Sequence, residues 1–241
     1  MNPESDKNVS VFNRDAKDHS GYLYTATNRL SSNLATGRSE DVILEMAGFE
    51  GKSVLDAGCG DGHYTNRFWD RGKPASMVGI DAAGEAIAVA DHHKGDRPIR
   101  YQVADAHSIP FPDNSFDLVL IQSILHHDDR PLDLITEAFR LAPRILIHEP
   151  NGNSIGLKII EKTSRYHIEH NEKSYYSRQI RRWCRQAGGR VVSFRYAGFV
   201  PMFCPDWMAR GMKFLEPLVE TIPVLNSLGC SVQVIVAERD R

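Results

Sequence analysis

Three aspartates, each at the end of a short apolar run, have the most chemistry to offer in this chain. Asp56 lies in SVLDAG, Asp81 ends MVGID and Asp105 ends IRYQVAD. Gln122 and Glu149 end two more such runs, FDLVLIQ and RILIHE. A glycine-rich turn follows Asp56, with Gly58, Gly60 and Gly62 around Cys59. Glycines there let the backbone approach a ligand that side chains would hold off. A triphosphate loop of the G-x-x-x-x-G-K-[ST] kind needs a lysine, and this turn has none. The dinucleotide fingerprint is G-x-G-x-x-G, and the spacing here is one residue short of it. Asp56 adds a second objection, since a carboxylate beside the turn repels a pyrophosphate and suits a cationic ligand. S-adenosylmethionine carries a sulfonium and an ammonium and no phosphate. Asp81, about twenty residues on, is placed to accept hydrogen bonds from both ribose hydroxyls, a feature shared with NAD sites. An acid at Asp105, next to Ala106, can accept from the adenine amino group.

The runs alternate with helical patterns: YTNRFWDR after the first, EAIAVADHH after the second, PLDLITEAFRLA after the fourth. Strand and helix in alternation predict a mainly parallel sheet with right-handed crossovers. Ligands of such sheets bind beyond the carboxyl ends of the strands, where the five polar residues would converge. Tyr22 to Gly48 reads as a helix ended by Gly48 and Gly51, behind a loose arm from Met1 to about Asn13. A helix over Arg178 to Gly188 and two strands, RVVSFRY and SVQVIVAER, complete the pattern, with a long apolar insert between those strands. The expected organisation is a single domain over 1–241. It has an N-terminal helical cover (14–50), a cofactor-binding core (51–150) and substrate-side elements (151–241) that include a helical insert at 201–229.

The segments DAGCGDG, GID and DAHSIPFPDNSFDLVLIQSILHH, in this order, resemble class I S-adenosylmethionine-dependent methyltransferases. The resemblance is to the small-molecule branch that includes ubiquinone- and menaquinone-biosynthesis enzymes, methyltransferase type 11, and it covers roughly Ser53 to Pro150. It implies an α/β, Rossmann-like fold: a seven-stranded, mostly parallel sheet with an antiparallel last strand, helices on both faces and extra helical lid elements. It also implies S-adenosylmethionine as cofactor, S-adenosylhomocysteine as product, and cofactor contacts at Asp56, Gly58, Gly60, Asp81, Ala82, Asp105, Ala106 and Gln122. Cys59 belongs to the same cofactor loop as a small filler.

Catalytic candidates follow from the acceptor side. His126 and His127 come just after the fourth strand, where a histidine can take a proton from a hydroxyl or amine as the methyl group moves. His148 and Glu149 end the fifth strand on opposite faces, and Glu149 is the better candidate for the substrate. Asp128-Asp129 alone does not make a metal site, because HEPNGN lacks the second acidic cluster of metal-dependent catechol-type enzymes, so no metal is expected. Tyr22 and Tyr24 either pack the N-terminal helix or fold over the cofactor. RYHIEHNEKSYY (Arg165–Tyr176), with His167 and His170, is a solvated loop or part of a lid. Arg178, Arg181, Arg182 and Arg185 line the solvated side of an amphipathic helix whose apolar side carries Ile180, Trp183, Cys184 and Ala187. In the insert, Trp207, Gly211, Phe214, Leu215, Leu218 and Ile222 make an apolar stripe, and Pro217 is expected to break or restart the helix. The stripe is expected to pack on the sheet. The alternatives are a pocket wall, a dimer face or a membrane-surface helix, for which Arg210 and Lys213 are few cations.

Composition narrows the partners. Over 241 residues, 41% apolar and 25% charged side chains fit a soluble protein with a core, and a net charge of −2 leaves no electrostatic footprint for nucleic acid. Cys59, Cys184, Cys204 and Cys230 form no C-x-x-C pair, which argues for a reducing compartment. The polar start MNPESDKNVS reads as no signal peptide, and no apolar run is long enough to span a bilayer, so the expected location is cytoplasmic. The expected partner is a small molecule, apolar or lipid-linked, with a homodimer open. A macromolecular methyltransferase is the first rival, although QSIL stands where amino-methylating DNA and RNA enzymes carry an N-P-P-Y-like motif. A non-catalytic methyltransferase-like subunit and an NAD-dependent dehydrogenase are the others.

Overall fold

Short β-branched and leucine-rich runs bounded by turn residues become seven strands: β1 (Ser53–Ala57), β2 (Ser76–Asp81), β3 (Ile99–Val103), β4 (Leu118–Gln122), β5 (Arg144–Pro150), β6 (Gly189–Ala197) and β7 (Val232–Arg239). The computed structural model describes residues 9–10, 13–14, 16–17, 21, 29–163 and 174–240. The strands form one sheet in the order β3-β2-β1-β4-β5-β7-β6. Pairings from β3 across to β5 are parallel, and β7 runs antiparallel to both β5 and β6. The strand order reverses between β1 and β4, which is where open α/β sheets bind their ligands. The expected sheet, with its reversed last strand, is the one observed.

The described helices are α1 (Leu30–Ala47), α2 (His63–Gly72), α3 (Gly84–His93), α4 (Pro131–Leu141), α5 (Ile155–Thr163), α6 (Ser177–Gln186), α7 (Asp206–Thr221) and α8 (Pro223–Gly229). Alternating strand residues feed two apolar layers. Leu55, Val119, Ile121, Ile145, Ile147 and Ile235 pack with α4 and α6 on one face. Val54, Leu118, Leu120, Leu146, Val234 and Val236 pack with α1 and α2 on the other. Glu40 of α1 is fully buried and holds α2 through Arg67 (2.5 Å) and Arg71 (2.6 Å).

Three expectations about the helices need correction or limits. Helix α1 begins at Leu30, and Arg29 before it is extended. Tyr22, Tyr24, His167 and His170 lie outside the described residues. Helix α7 continues through Pro217 and stops at Ile222. A proline inside a helix loses one backbone bond and crowds the preceding turn, but here it sits on the exposed face, and α7 is anchored from the other side by Ala209, Glu216 and Val219. That outward rotation also overturns the expected packing of the insert, because Trp207, Phe214, Leu215, Leu218 and Ile222 are exposed.

Candidate active site

The glycine turn is stitched to its neighbour by backbone bonds. The N–H groups of Gly58 and Cys59 both donate to the Ile80 carbonyl, at 2.8 and 2.9 Å. Gly58 has φ +80°, and a Cβ there would lie 2.2 Å from Ile124 Cγ2. Gly62, at φ +74°, starts α2 where a Cβ would meet Ala90 and the Tyr101 hydroxyl at 2.8 Å. Gly60, at φ +54°, donates its N–H to Asp81 Oδ2 at 3.0 Å, and Ala83 N–H reaches Asp81 Oδ1 at 2.8 Å. Asp81 therefore ties the turn after β1 to the turn after β2, where Ala82 is part-buried. Burial raises the Asp81 carboxyl above its ordinary value against the pull of those amides. Burial also pushes the Cys59 thiol well up, which keeps it protonated and unreactive.

Asp56 points from β1 into the α2 side of the sheet and is buried. Its Oδ2 accepts from Thr65 Oγ1 at 2.6 Å, while Oδ1 is buried with no hydrogen-bond partner among the described residues. Burial pushes this carboxyl up to about 6, with Thr65 opposing and Asp81 adding to the rise. A buried carboxylate oxygen without a donor is costly unless something supplies one.

At the end of β3, Asp105 Oδ1 accepts from both His107 N–H and His107 Nδ1, each at 2.9 Å. His107 Nε2 lies 3.0 Å from Asp128 Oδ2. The hydrogen bond to Asp128 is the largest cause holding His107 above its ordinary value. Burial would raise Asp105, but the bonds from His107 bring it below the usual carboxylate range. This Asp105–His107–Asp128 bridge joins the β3 and β4 ends. Sequence reasoning missed it, because the third member is supplied by tertiary structure.

The loop after β4 closes the site. Ser123 takes φ +56°, rare for a side-chain-bearing residue, and its N–H donates to the His148 carbonyl at 2.8 Å. Glu149 is fully buried beneath the loop. Its Oε1 accepts from Ile124 N–H (3.0 Å) and Leu125 N–H (2.8 Å), and its Oε2 lies 2.7 Å from His126 Nδ1. Burial pushes the Glu149 carboxyl up to about 8 against those amides. The His126 and His127 rings are 4.0 Å apart. Glu149 is thus enclosed by protein rather than facing an open crevice, and it can act on a substrate only through the histidine it holds. On the opposite face His148 sits in register beside Gln122, buried, with neither ring nitrogen partnered among the described residues. Burial pushes His148 down to about 4.

Residues 55–144 match a family model described as a methyltransferase domain. Over that stretch the chain is similar to class I S-adenosylmethionine-dependent methyltransferases. Its fold is similar to that of a Thermotoga maritima protein described as an S-adenosylmethionine-dependent methyltransferase, possible histamine N-methyltransferase, with a TM-score of 0.70, at 14% identity, covering 97% of this chain and 100% of that one. The mitochondrial ubiquinone biosynthesis O-methyltransferase of Bos taurus is 31% identical over 192 residues, 77% of this chain and 43% of its own length. The fatty-acid O-methyltransferase of Mycolicibacterium smegmatis is 32% identical over 96 residues, 40% of this chain and 35% of its own. The chain spans less than half the length of either relative. Among the described residues, no three His, Cys, Asp or Glu side chains group as metal ligands, and no helix is long and apolar enough to cross a membrane.

Proposed function

We propose that the chain transfers the methyl group of S-adenosylmethionine to an oxygen atom of a small, apolar acceptor. The observation that carries this reading is the buried, unpartnered Asp56 Oδ1 beside a glycine turn without lysine. That cradle suits a ligand with positive charge and close backbone contact, and it disfavours a phosphate. Bound there, S-adenosylmethionine supplies a methyl group already activated by its sulfonium. Gly58, Cys59 and Gly60 present backbone to the methionine portion, with Gln122 alongside. Asp81 keeps lone pairs beyond those used by Gly60 and Ala83 and receives the ribose hydroxyls. Asp105 Oδ2 accepts from the adenine amino group, and Ala82 and Ala106 leave the base room.

Because the donor is activated, the protein's main task is to align acceptor and methyl group and exclude water. A general base adds about 10²–10⁴-fold. His126 takes the hydroxyl proton, Glu149 fixes its ring, and His127 borders the acceptor. The two O-methyltransferase relatives support oxygen as the acceptor atom. The test is incubation with methyl-labelled S-adenosylmethionine and a cell extract, then separation of metabolites, lipids, protein and nucleic acid. Label as an O-methyl ether or ester in the metabolite or lipid fraction is expected. Label in protein or nucleic acid overturns the substrate class, and no label with S-adenosylhomocysteine binding intact overturns catalysis.

A further inference from the structure

The outward face of the α7–α8 insert is almost without polarity. From Gly211 to Leu228 the exposed side chains include Phe214 (85% exposed), Leu218, Val224 (66%), Leu225 and Leu228, and the one charged side chain exposed among them is Lys213, at 39%. The three charged residues of that stretch are engaged in ion pairs. Lys213 pairs with Glu216, which also accepts from Phe199 N–H at 3.0 Å. Glu220 takes both arms of Arg38, at 2.9 and 2.7 Å. Trp207, 76% exposed, extends the face toward the start of α7 beside the exposed Arg210. A contiguous apolar surface of this kind marks an interaction site.

The face continues into a groove. Leu228 lines a cleft of about 560 Å³ together with Ile155, Ile159, Tyr176 and Lys158. Among the lining residues Lys158 carries the single charge, and the Tyr176 ring lies 5.7 Å from Lys158 Nζ and 5.2 Å from Arg178 Cζ. Gly152 and Asn153, also in the lining, come one residue after the end of β5, which carries Glu149. Apolar walls under cations complement an anionic amphiphile. A protein partner would need hydrogen-bonding groups along the contact, and between Phe214 and Leu228 Thr221 is the outward side chain that offers one. Tryptophan and cations flanking an apolar ridge match the layered polarity of a bilayer surface. The sequence pointed to two cations, and the fold brings Lys158 and Arg178 to the same border.

We infer that the α7–α8 face docks on a lipid bilayer bearing anionic headgroups, with the groove leading its acceptor toward the end of β5. The docking rests on the exposed face alone, and the route for the acceptor rests on the methyl-transfer reading. The experiment is co-sedimentation of the full chain with phosphatidylcholine vesicles, with and without phosphatidylglycerol, compared with Phe214→Asp/Leu218→Asp and Lys158→Ala. Wild type is expected to bind the anionic vesicles. The double variant should lose at least about tenfold in partitioning, with unchanged melting temperature and S-adenosylhomocysteine affinity, and Lys158→Ala should lose preference for the anionic vesicles. Absence of wild-type binding, or binding unchanged in the double variant, overturns the inference. So does a dimer in light scattering that the double variant dissociates, since the face would then join two copies. Because S-adenosylhomocysteine binding and label transfer are read separately, failure of the docking leaves the methyl-transfer reading standing.

Discussion

Asp81 carries one backbone amide on each carboxylate oxygen, so replacing it loosens two turns together and removes the proposed contact to the ribose. Asp81→Ala is expected to weaken S-adenosylhomocysteine binding by at least about 100-fold in calorimetry, consistent with losing charge-assisted hydrogen bonds of roughly 1.5–3 kcal/mol each. Asp81→Asn should fall short of rescue, because its amide end turns a donor toward a backbone donor. For the pair at the β4 loop, His126→Ala and Glu149→Gln should each lower kcat by about 10²–10⁴-fold. The double variant should be little worse than either single one, because the two act as a unit. His148 gives a pH signature. The folded chain protonates it near 4 and the unfolded chain near 6.5, so the unfolded state holds more protons in between. Stability therefore falls as pH drops from 6.5 toward 4, with a slope on the order of 1 kcal/mol per pH unit. His148→Leu should flatten that part of the denaturation profile. The three aspartates could be read from the sequence because each closes an apolar run. His107 could not, since nothing local to it announces Asp128 twenty-one residues later.

Element boundaries followed from alternation and turn chemistry, and the seven strands lie where the apolar runs placed them. The β1–α2 turn shows why glycine is needed there. Gly58→Ala adds a Cβ at positive φ, which costs about 1–2 kcal/mol by itself, and drives it into Ile124. The variant should be destabilised by more than the backbone term and bind S-adenosylhomocysteine weakly. Adding Ile124→Ala should recover part of the stability and leave the φ penalty, as measured by chemical denaturation. The insert was misread for a physical reason. A helical stripe says that one side is apolar, but not whether that side meets the body of the protein or its surroundings. In α7 the buried positions are Ala209, Glu216 and Val219, which sequence pattern alone would not pick. Pro217 is expected to break or restart the helix, yet an exposed position and packing on the far side carry the helix past it.

For the whole molecule, the number of strands and the reversal of β7 came from resemblance, whereas the order of the strands and which helices cover which face needed coordinates. A ligand that binds the folded state alone stabilises it by mass action. S-adenosylhomocysteine at about 100 times its Kd should contribute about 2.7 kcal/mol, a rise in Tm of roughly 5–10 °C for a chain of this size. Asp81→Ala should show almost no rise under the same conditions, which separates loss of binding from loss of fold.

Everything between 198 and 231 leaves and rejoins the sheet at one point, where Ser231 N–H donates to the Gly198 carbonyl at 2.7 Å. The segment is a cassette plugged into a hairpin. It can lengthen, shrink or be exchanged for another without moving the register of β6 or β7, and the glycine turn and its aspartates lie on the other half of the sheet. One donor half can in this way be fitted with different acceptor halves: grafted between β6 and β7 of another such sheet, the cassette should carry its exposed apolar face with it.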